Sequence, residues 1–236
     1  MASLGYFYDK APGIKFPALI ALVTCDLPRY RRRLEVCLKT WVPSTVLDFD
    51  FLLASSAILS PLAGHDVPDD YPSLPQKMSE VFRLANRLGY EGLWKIDDDS
   101  IVFPGLPRPP QDYCGKVLGG QHLSDLDGFR DGYCSGGAYW LSARSLAIMA
   151  EAEPPLTGAE DGWVGSVLSA AGIFPQDTNL VGYWTDRNSG ITGRHVQMQC
   201  PDIIGVGATK RIPPGESAFH GHAPGSTRGD GQGRAK

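Results

Sequence analysis

The sequence predicts an α/β protein, a mostly parallel sheet with helices against its faces. Three observations predict it. Short apolar runs alternate with helical-period segments along most of the chain. The first run, Phe16 to Thr24, is apolar enough to be a strand buried on both faces. A later run, Leu93 to Ile96, ends abruptly in Asp97-Asp98-Asp99. In open α/β sheets, ligands bind beyond the carboxyl ends of the strands, and this triplet is placed at that edge.

The elements follow in order. Residues 1–15 read as a leader. Pro28 opens a helix carrying Leu34, Cys37, Leu38 and Trp41 at helical spacing. Phe49 to Ala54 is the second strand. Residues 55–74 hold many Ser, Pro and Asp without periodicity and read as a loop. Gln76 to Leu88 is a helix with Met78, Val81, Phe82, Ala85 and Leu88 on one face, and Gly89 ends it. Leu93 to Ile96 is a strand, and the Pro-rich residues 104–113 are a loop. Lys116 to Leu118 and Gly137 to Leu141 are strands. Ser142 caps a helix through Ala150, and Asp161 to Ala171 is another. From Asp177 onward the pattern gives only short strands and turns. One domain thus covers 16–222, and the Gly-rich, polar residues 223–236 read as a disordered tail.

The bulk properties exclude some functions. The chain has 236 residues, 42% hydrophobic and 20% charged, as an ordinary globular protein has. Its net charge of −4 gives no overall attraction to nucleic acid or anionic membranes. Arg29 to Arg33 nonetheless holds four arginines in five positions. The longest apolar run, Phe16 to Val23, is far too short to span a bilayer. With no signal peptide or membrane segment evident, a soluble, cytoplasmic protein without a membrane anchor is expected. The cysteines (Cys25, Cys37, Cys114, Cys134 and Cys200) lack metal-site spacing and read mostly as reduced core thiols.

Four groups of residues could carry chemistry. Three consecutive carboxylates repel one another and resist burial, so they suit a site where a cation sits among them. Mg²⁺ and Mn²⁺ favour carboxylate oxygen and bridge readily to phosphate. A solvated acidic turn is the alternative. Lys95 shares a strand face with Asp97 and is placed to neutralise the cluster. The second group, Tyr133-Cys134-Ser135-Gly136-Gly137-Ala138-Tyr139, has paired glycines that allow a close approach by a sugar or another backbone. A glycine bulge before a core strand reads equally well. The third, Glu160-Asp161-Gly162, places two acids at a helix start, as capping residues or with one of them a general base. The fourth, His220-Gly221-His222, offers imidazole ligands or simply a surface segment. Lys77, at a helix start, is placed for a phosphate or for solvent.

Together these segments resemble the β-1,3-glycosyltransferase and Fringe-like superfamily. Thr40-Trp41 ends the first helix as in that family. Leu74-Pro75-Gln76-Lys77 looks like its Leu-x-x-Lys, and Lys95-Ile96-Asp97-Asp98-Asp99 matches its Lys-x-Asp-Asp-Asp. Residues 133–139 look like its Tyr-Cys-Ser-Gly-Gly-x-Tyr, and Glu160 to Gly165 resembles Glu-Asp-Val-x-x-Gly, with Gly162 in place of Val. Phe219-His220 resembles its C-terminal metal ligand. The matches come in the family's order from about residue 18 to 222.

The resemblance implies a GT-A fold, with a single Rossmann-like mixed sheet flanked by helices, a UDP-sugar donor, Mn²⁺ (or Mg²⁺) and inversion at the anomeric carbon. Asp161 then becomes the catalytic base. Asp99, with Asp97 and His220, holds the metal, and His222 is the alternate ligand. Asp97, Asp98, Lys77, Lys95, Gly136, Gly137 and Glu160 surround the donor. Animal members begin with an anchor and stem, so a soluble bacterial or phage-type enzyme is expected here. The acceptor is a hydroxyl of a glycan, protein or small molecule, or of a hydroxymethylated base in DNA. A noncatalytic sugar-nucleotide-binding module and a metal-dependent phosphodiesterase are the competing functions.

Overall fold

The computed structural model describes residues 16–45, 48–102, 105–119, 132–178, 181–186 and 191–196. The expected leader, tail, Cys200, His220 and His222 lie outside the described residues. The chain runs β1 (Ala18–Val23), α1 (Pro28–Thr40), α2 (Val42–Thr45), β2 (Asp50–Ala54), α3 (Ser56–Ala63), α4 (Leu74–Arg87), β3 (Gly92–Asp97) and β4 (Ser100–Val102). It continues with β5 (Tyr113–Leu118), β6 (Tyr133–Ser142), α5 (Ala143–Glu151), α6 (Glu160–Ala170), β7 (Gln176–Asp177), β8 (Val181–Asp186) and β9 (Ile191–Val196).

Six strands form one sheet in the order β2-β1-β3-β6-β5-β7. β1 is parallel to both β2 and β3, and β5 is parallel to β7. β6 runs antiparallel to β3 and β5, so the sheet is mixed, the form the resemblance implies, rather than the mostly parallel one that the alternation of strands and helices alone predicts. A second sheet, β4-β9-β8, lies apart from it in pairing.

Every residue of β1 is buried, because helices cover both faces. Leu19, Ala21 and Leu93 pack toward Met78, Val81 and Phe82 of α4, Leu146 and Met149 of α5, and Val164 and Leu168 of α6. Ile20, Leu22, Trp94 and Ile96 pack toward Cys37 of α1 and toward Trp41 and Val42. Alternation along each strand thus supplies both cores. Among the described residues no helix is long and apolar enough to cross a membrane, and Cys25, Cys37, Cys114 and Cys134 are free thiols.

Two expectations need correction. Residues 55–74 are not all loop, because α3 lies within them. Its buried Leu59 and half-buried Ile58 and Leu62 are a short helical stripe, masked in sequence by Ser60 and Pro61. Gly64 ends it in the left-handed region at φ 79°, where glycine carries no Cβ penalty. β6 begins at Tyr133 rather than Gly137, so the paired glycines lie inside the strand.

That strand is irregular. Gly115 of β5 pairs with Tyr139, yet Val117 pairs with Cys134. Four residues of β6, Ser135–Ala138, therefore lie opposite Lys116 alone. Such a bulge releases backbone groups from the ladder and re-aims them.

Candidate active site

The carboxyl ends of β1, β2 and β3 are tied level. Thr24 N–H donates to Ala54 O (3.3 Å), and Asp98 N–H donates to Val23 O (3.2 Å). This delivers Asp97, Asp98 and Asp99 to the sheet edge, where three carboxylates of one triplet meet three different environments.

Asp98 turns toward α1. It is 3% exposed, accepts from the Thr24 hydroxyl (2.7 Å) and lies 3.7 Å from the Arg33 guanidinium. Burial pushes its carboxyl up to about 7; the Thr24 hydrogen bond opposes the rise and Asp97 adds to it. Asp97 turns the opposite way and accepts from Lys95 Nζ at 2.6 Å. Asp99 is half-buried, and its Oδ1 has no hydrogen-bond partner among the described residues.

Lys95 is completely buried on the α6 side of the sheet. Besides Asp97, its ammonium donates to Gly136 O in the bulge and pairs with Glu160 (3.5 Å). Burial alone lowers the pKa of a lysine. Here the charges of Asp97 and Glu160 outweigh burial and hold it above its ordinary value. Glu160 accepts from the Tyr139 hydroxyl as well. Burial pushes Glu160 up to about 7, against the pull of Lys95, and Asp161 raises it further.

Asp161 stands in the first turn of α6, where the helix N-terminus favours negative charge. Its Oδ2 accepts from Gly136 N–H (2.8 Å), and its Oδ1 accepts from Gly162 N–H (2.9 Å). A Cβ on Gly136 would meet Oδ2 at 3.1 Å, so a side chain there would crowd the carboxylate. A Cβ on Gly165 would stand 2.5 Å from Tyr133 Cβ, so that glycine lets α6 lie close on β6.

The structure thus gathers Asp97, Lys95, Gly136, Glu160 and Asp161 into one contact network. Gly137 joins at its margin, where its carbonyl accepts from the Ser100 hydroxyl (3.1 Å). Lys77 sits elsewhere. It is 2% exposed and donates to Thr24 O (2.9 Å) and Asp69 Oδ1 (2.6 Å). Burial works against the Asp69 charge. Hydrogen bonds from Lys77, the Asp26 amide and Ser56 outweigh it and hold the carboxyl below its ordinary value. Lys77 therefore ties together the loops beyond β1 and α3.

Thr24 and Asp69 were not singled out by sequence reasoning, and Tyr139 was named only as the last residue of the Tyr133–Tyr139 group, not as a partner of Glu160. Thr24 directly follows β1 and Tyr139 follows the paired glycines, but only the pairing of β1 and β6 with β3 brings them to the acids.

A divalent cation fits Asp99 chemically: it offers a hard, buried oxygen with no other partner among the described residues. Among the described residues no group of three His, Cys, Asp or Glu converges on one point. Mg²⁺-type ions commonly need only one or two carboxylates and complete their shell with water and substrate phosphate. Compared with protein-family models and with curated protein sequences, the chain matches none.

The two raised carboxyls set a pH dependence. Their ordinary values are 3.8 and 4.5, and in the folded protein each lies at about 7. The folded state therefore binds more protons between these values than the unfolded chain. Their contribution to stability is present in full below about pH 4 and is lost as pH rises through about 7. Lys95 stays protonated throughout and adds no slope. Denaturant unfolding without metal should give lower stability near pH 8 than near pH 5, by on the order of 5 kcal/mol. Asp98→Asn and Glu160→Gln should each remove part of that difference; an unchanged difference in both would exclude these two groups as its source.

Proposed function

We propose that the chain is an inverting, metal-dependent glycosyltransferase of GT-A fold, moving a sugar from a UDP-sugar to an acceptor hydroxyl. One observation carries the reading. A continuous set of contacts, Asp97–Lys95–Gly136–Asp161, runs from the acid-bearing end of β3 to a carboxylate fixed at a helix start. Donor-side acids and a lone, oriented base are the two halves that such a transfer needs. The order of the motifs along the chain supports the same reading.

In this reading Asp161 takes the proton from the acceptor hydroxyl as it attacks the anomeric carbon, a general-base role. Its Gly136 hydrogen bond holds one oxygen and its own helix turn the other, so the carboxylate is oriented before the acceptor arrives. A single displacement opposite the leaving diphosphate inverts the carbon and needs no enzyme nucleophile. Asp99, with Asp97, would hold Mn²⁺ or Mg²⁺. When bound, that ion supplies Lewis-acid stabilisation of the charge on the departing UDP.

Thermal unfolding tests the donor. UDP, UDP-glucose, UDP-galactose, UDP-GlcNAc and UDP-GalNAc are each added with Mn²⁺ and with EDTA. A ligand that binds only the folded state adds about 2.7 kcal/mol at a hundredfold excess over Kd. A Mn²⁺-dependent shift is expected with at least UDP, and the sugar with the largest shift names the donor. Folded protein that shifts with none of them would overturn the reading.

A further inference from the structure

We propose that Lys95 is a positioning residue, one buried ammonium that sets where the base half of the site stands relative to the acid half. The inference rests on the glycosyltransferase reading and goes beyond it, because the resemblance places Lys95 and Glu160 at the donor. With Lys95 fully buried and the Glu160 side chain 1% exposed, neither presents an atom to a bound donor.

What Lys95 does present is three contacts, each on a different element. Asp97 belongs to β3 and leads directly into Asp98 and Asp99. Gly136 belongs to the β6 bulge, and the same residue whose carbonyl meets Lys95 gives its N–H to Asp161. Glu160 is the residue before Asp161 on α6. One cation thus grips the metal-side acid, the backbone that orients the base, and the helix that carries the base. The bulge makes this possible, since a regular strand would have committed Gly136 to the ladder.

Tyr139 completes the arrangement. Its hydroxyl donates to Glu160 and its ring lies under the ammonium, 5.7 Å from Nζ to the ring centroid. Glu160 is thereby held from two sides. A buried lysine with two carboxylates, a carbonyl and an aromatic face has few alternative arrangements, because each group left unpaired would carry a full desolvation penalty. A rigid spacing between Asp97 and Asp161 is the functional result. Misplacement of a reacting group by about 1 Å costs on the order of a hundredfold in rate.

The test uses the full chain, Lys95→Met, and the double variant Lys95→Met/Glu160→Gln. Met keeps the length and removes the charge. Two quantities are read: kcat and KM for donor turnover with Mn²⁺, and hydrogen exchange of the Gly136 amide. Lys95→Met should lower kcat by about a hundredfold with the donor KM within about threefold, and Gly136 should exchange faster. The double variant removes the unpaired charge of Glu160, so its melting temperature should recover in part. Turnover and Gly136 protection should not recover.

A purely structural lysine predicts the reverse, with turnover returning as stability returns. That result, or unchanged Gly136 exchange in Lys95→Met, would overturn the proposal. If Lys95→Met fails to fold, Tyr139→Phe removes only the hydroxyl on Glu160 and should give a smaller effect in the same direction. Unchanged kcat and unchanged Gly136 exchange in that variant would likewise overturn it. A wild-type protein that turns over no UDP-sugar sinks the glycosyltransferase reading instead, and Gly136 exchange alone then decides the positioning role.

Discussion

Asp161→Asn should lower turnover by roughly 10²–10⁴-fold and leave the UDP-dependent thermal shift unchanged. Asn has nearly the same shape, and its amide oxygen still accepts the Gly136 N–H that holds Asp161 in place. What disappears is the capacity to take a proton from the acceptor, together with the local hydrogen bond that Oδ1 accepts from Gly162 N–H. Glu160 is no substitute, since it is buried and held by Lys95 and Tyr139. Stopped assays of donor consumption, run beside thermal unfolding with UDP and Mn²⁺, separate the two effects. A noncatalytic binding module would show no functional loss in this variant. Full turnover in Asp161→Asn would remove the base from the mechanism.

The second large effect is at Asp99. Asp99→Ala should abolish the Mn²⁺-dependent part of the UDP shift, a loss of about 2.7 kcal/mol at a hundredfold excess of ligand. Its effect on the metal-free protein should be small or stabilising. Oδ1 is desolvated and has no partner among the described residues, so removing it deletes an unfavourable burial. Asp98→Asn should do the opposite, keeping the metal-dependent shift while altering stability, because that carboxylate faces Thr24 and Arg33. A metal-dependent shift that survives in Asp99→Ala, or vanishes in Asp98→Asn, would reverse the assignment within the triplet.

The contrast within that triplet shows what sequence could and could not convey. An apolar run ending in three acids is visible in one dimension, because hydrophobic periodicity and charge are local properties. So are the α4 stripe of Met78, Val81, Phe82 and Ala85 and the Ser142 cap, whose Oγ accepts from Ser145 N–H (3.4 Å). The separate fates of Asp97, Asp98 and Asp99 depend on what α1, β1 and α6 place beside β3, and that is set by pairing between distant segments. α3 is hard to read in the sequence because Ser60 and Pro61 interrupt a short stripe of Ile58, Leu59, Leu62 and Ala63. The bulge that holds Gly136-Gly137 inside β6 is legible only in the register of that strand against β5. His220 and His222, expected as metal ligands, lie outside the described residues.

The bulge has a consequence for how this site is probed. Its contributions to Asp161 and Lys95 are a peptide N–H and a peptide carbonyl, both of Gly136, and neither changes when side chains are truncated. Alanine scanning would therefore be blind to half of the connection between the two acids, and at Gly136 itself it would add bulk instead of deleting a contact. Backbone chemistry sees what the scan misses. An amide-to-ester replacement at Gly136 removes the N–H that orients the base, weakens the adjoining carbonyl of the preceding residue as an acceptor, and leaves every side chain as it was.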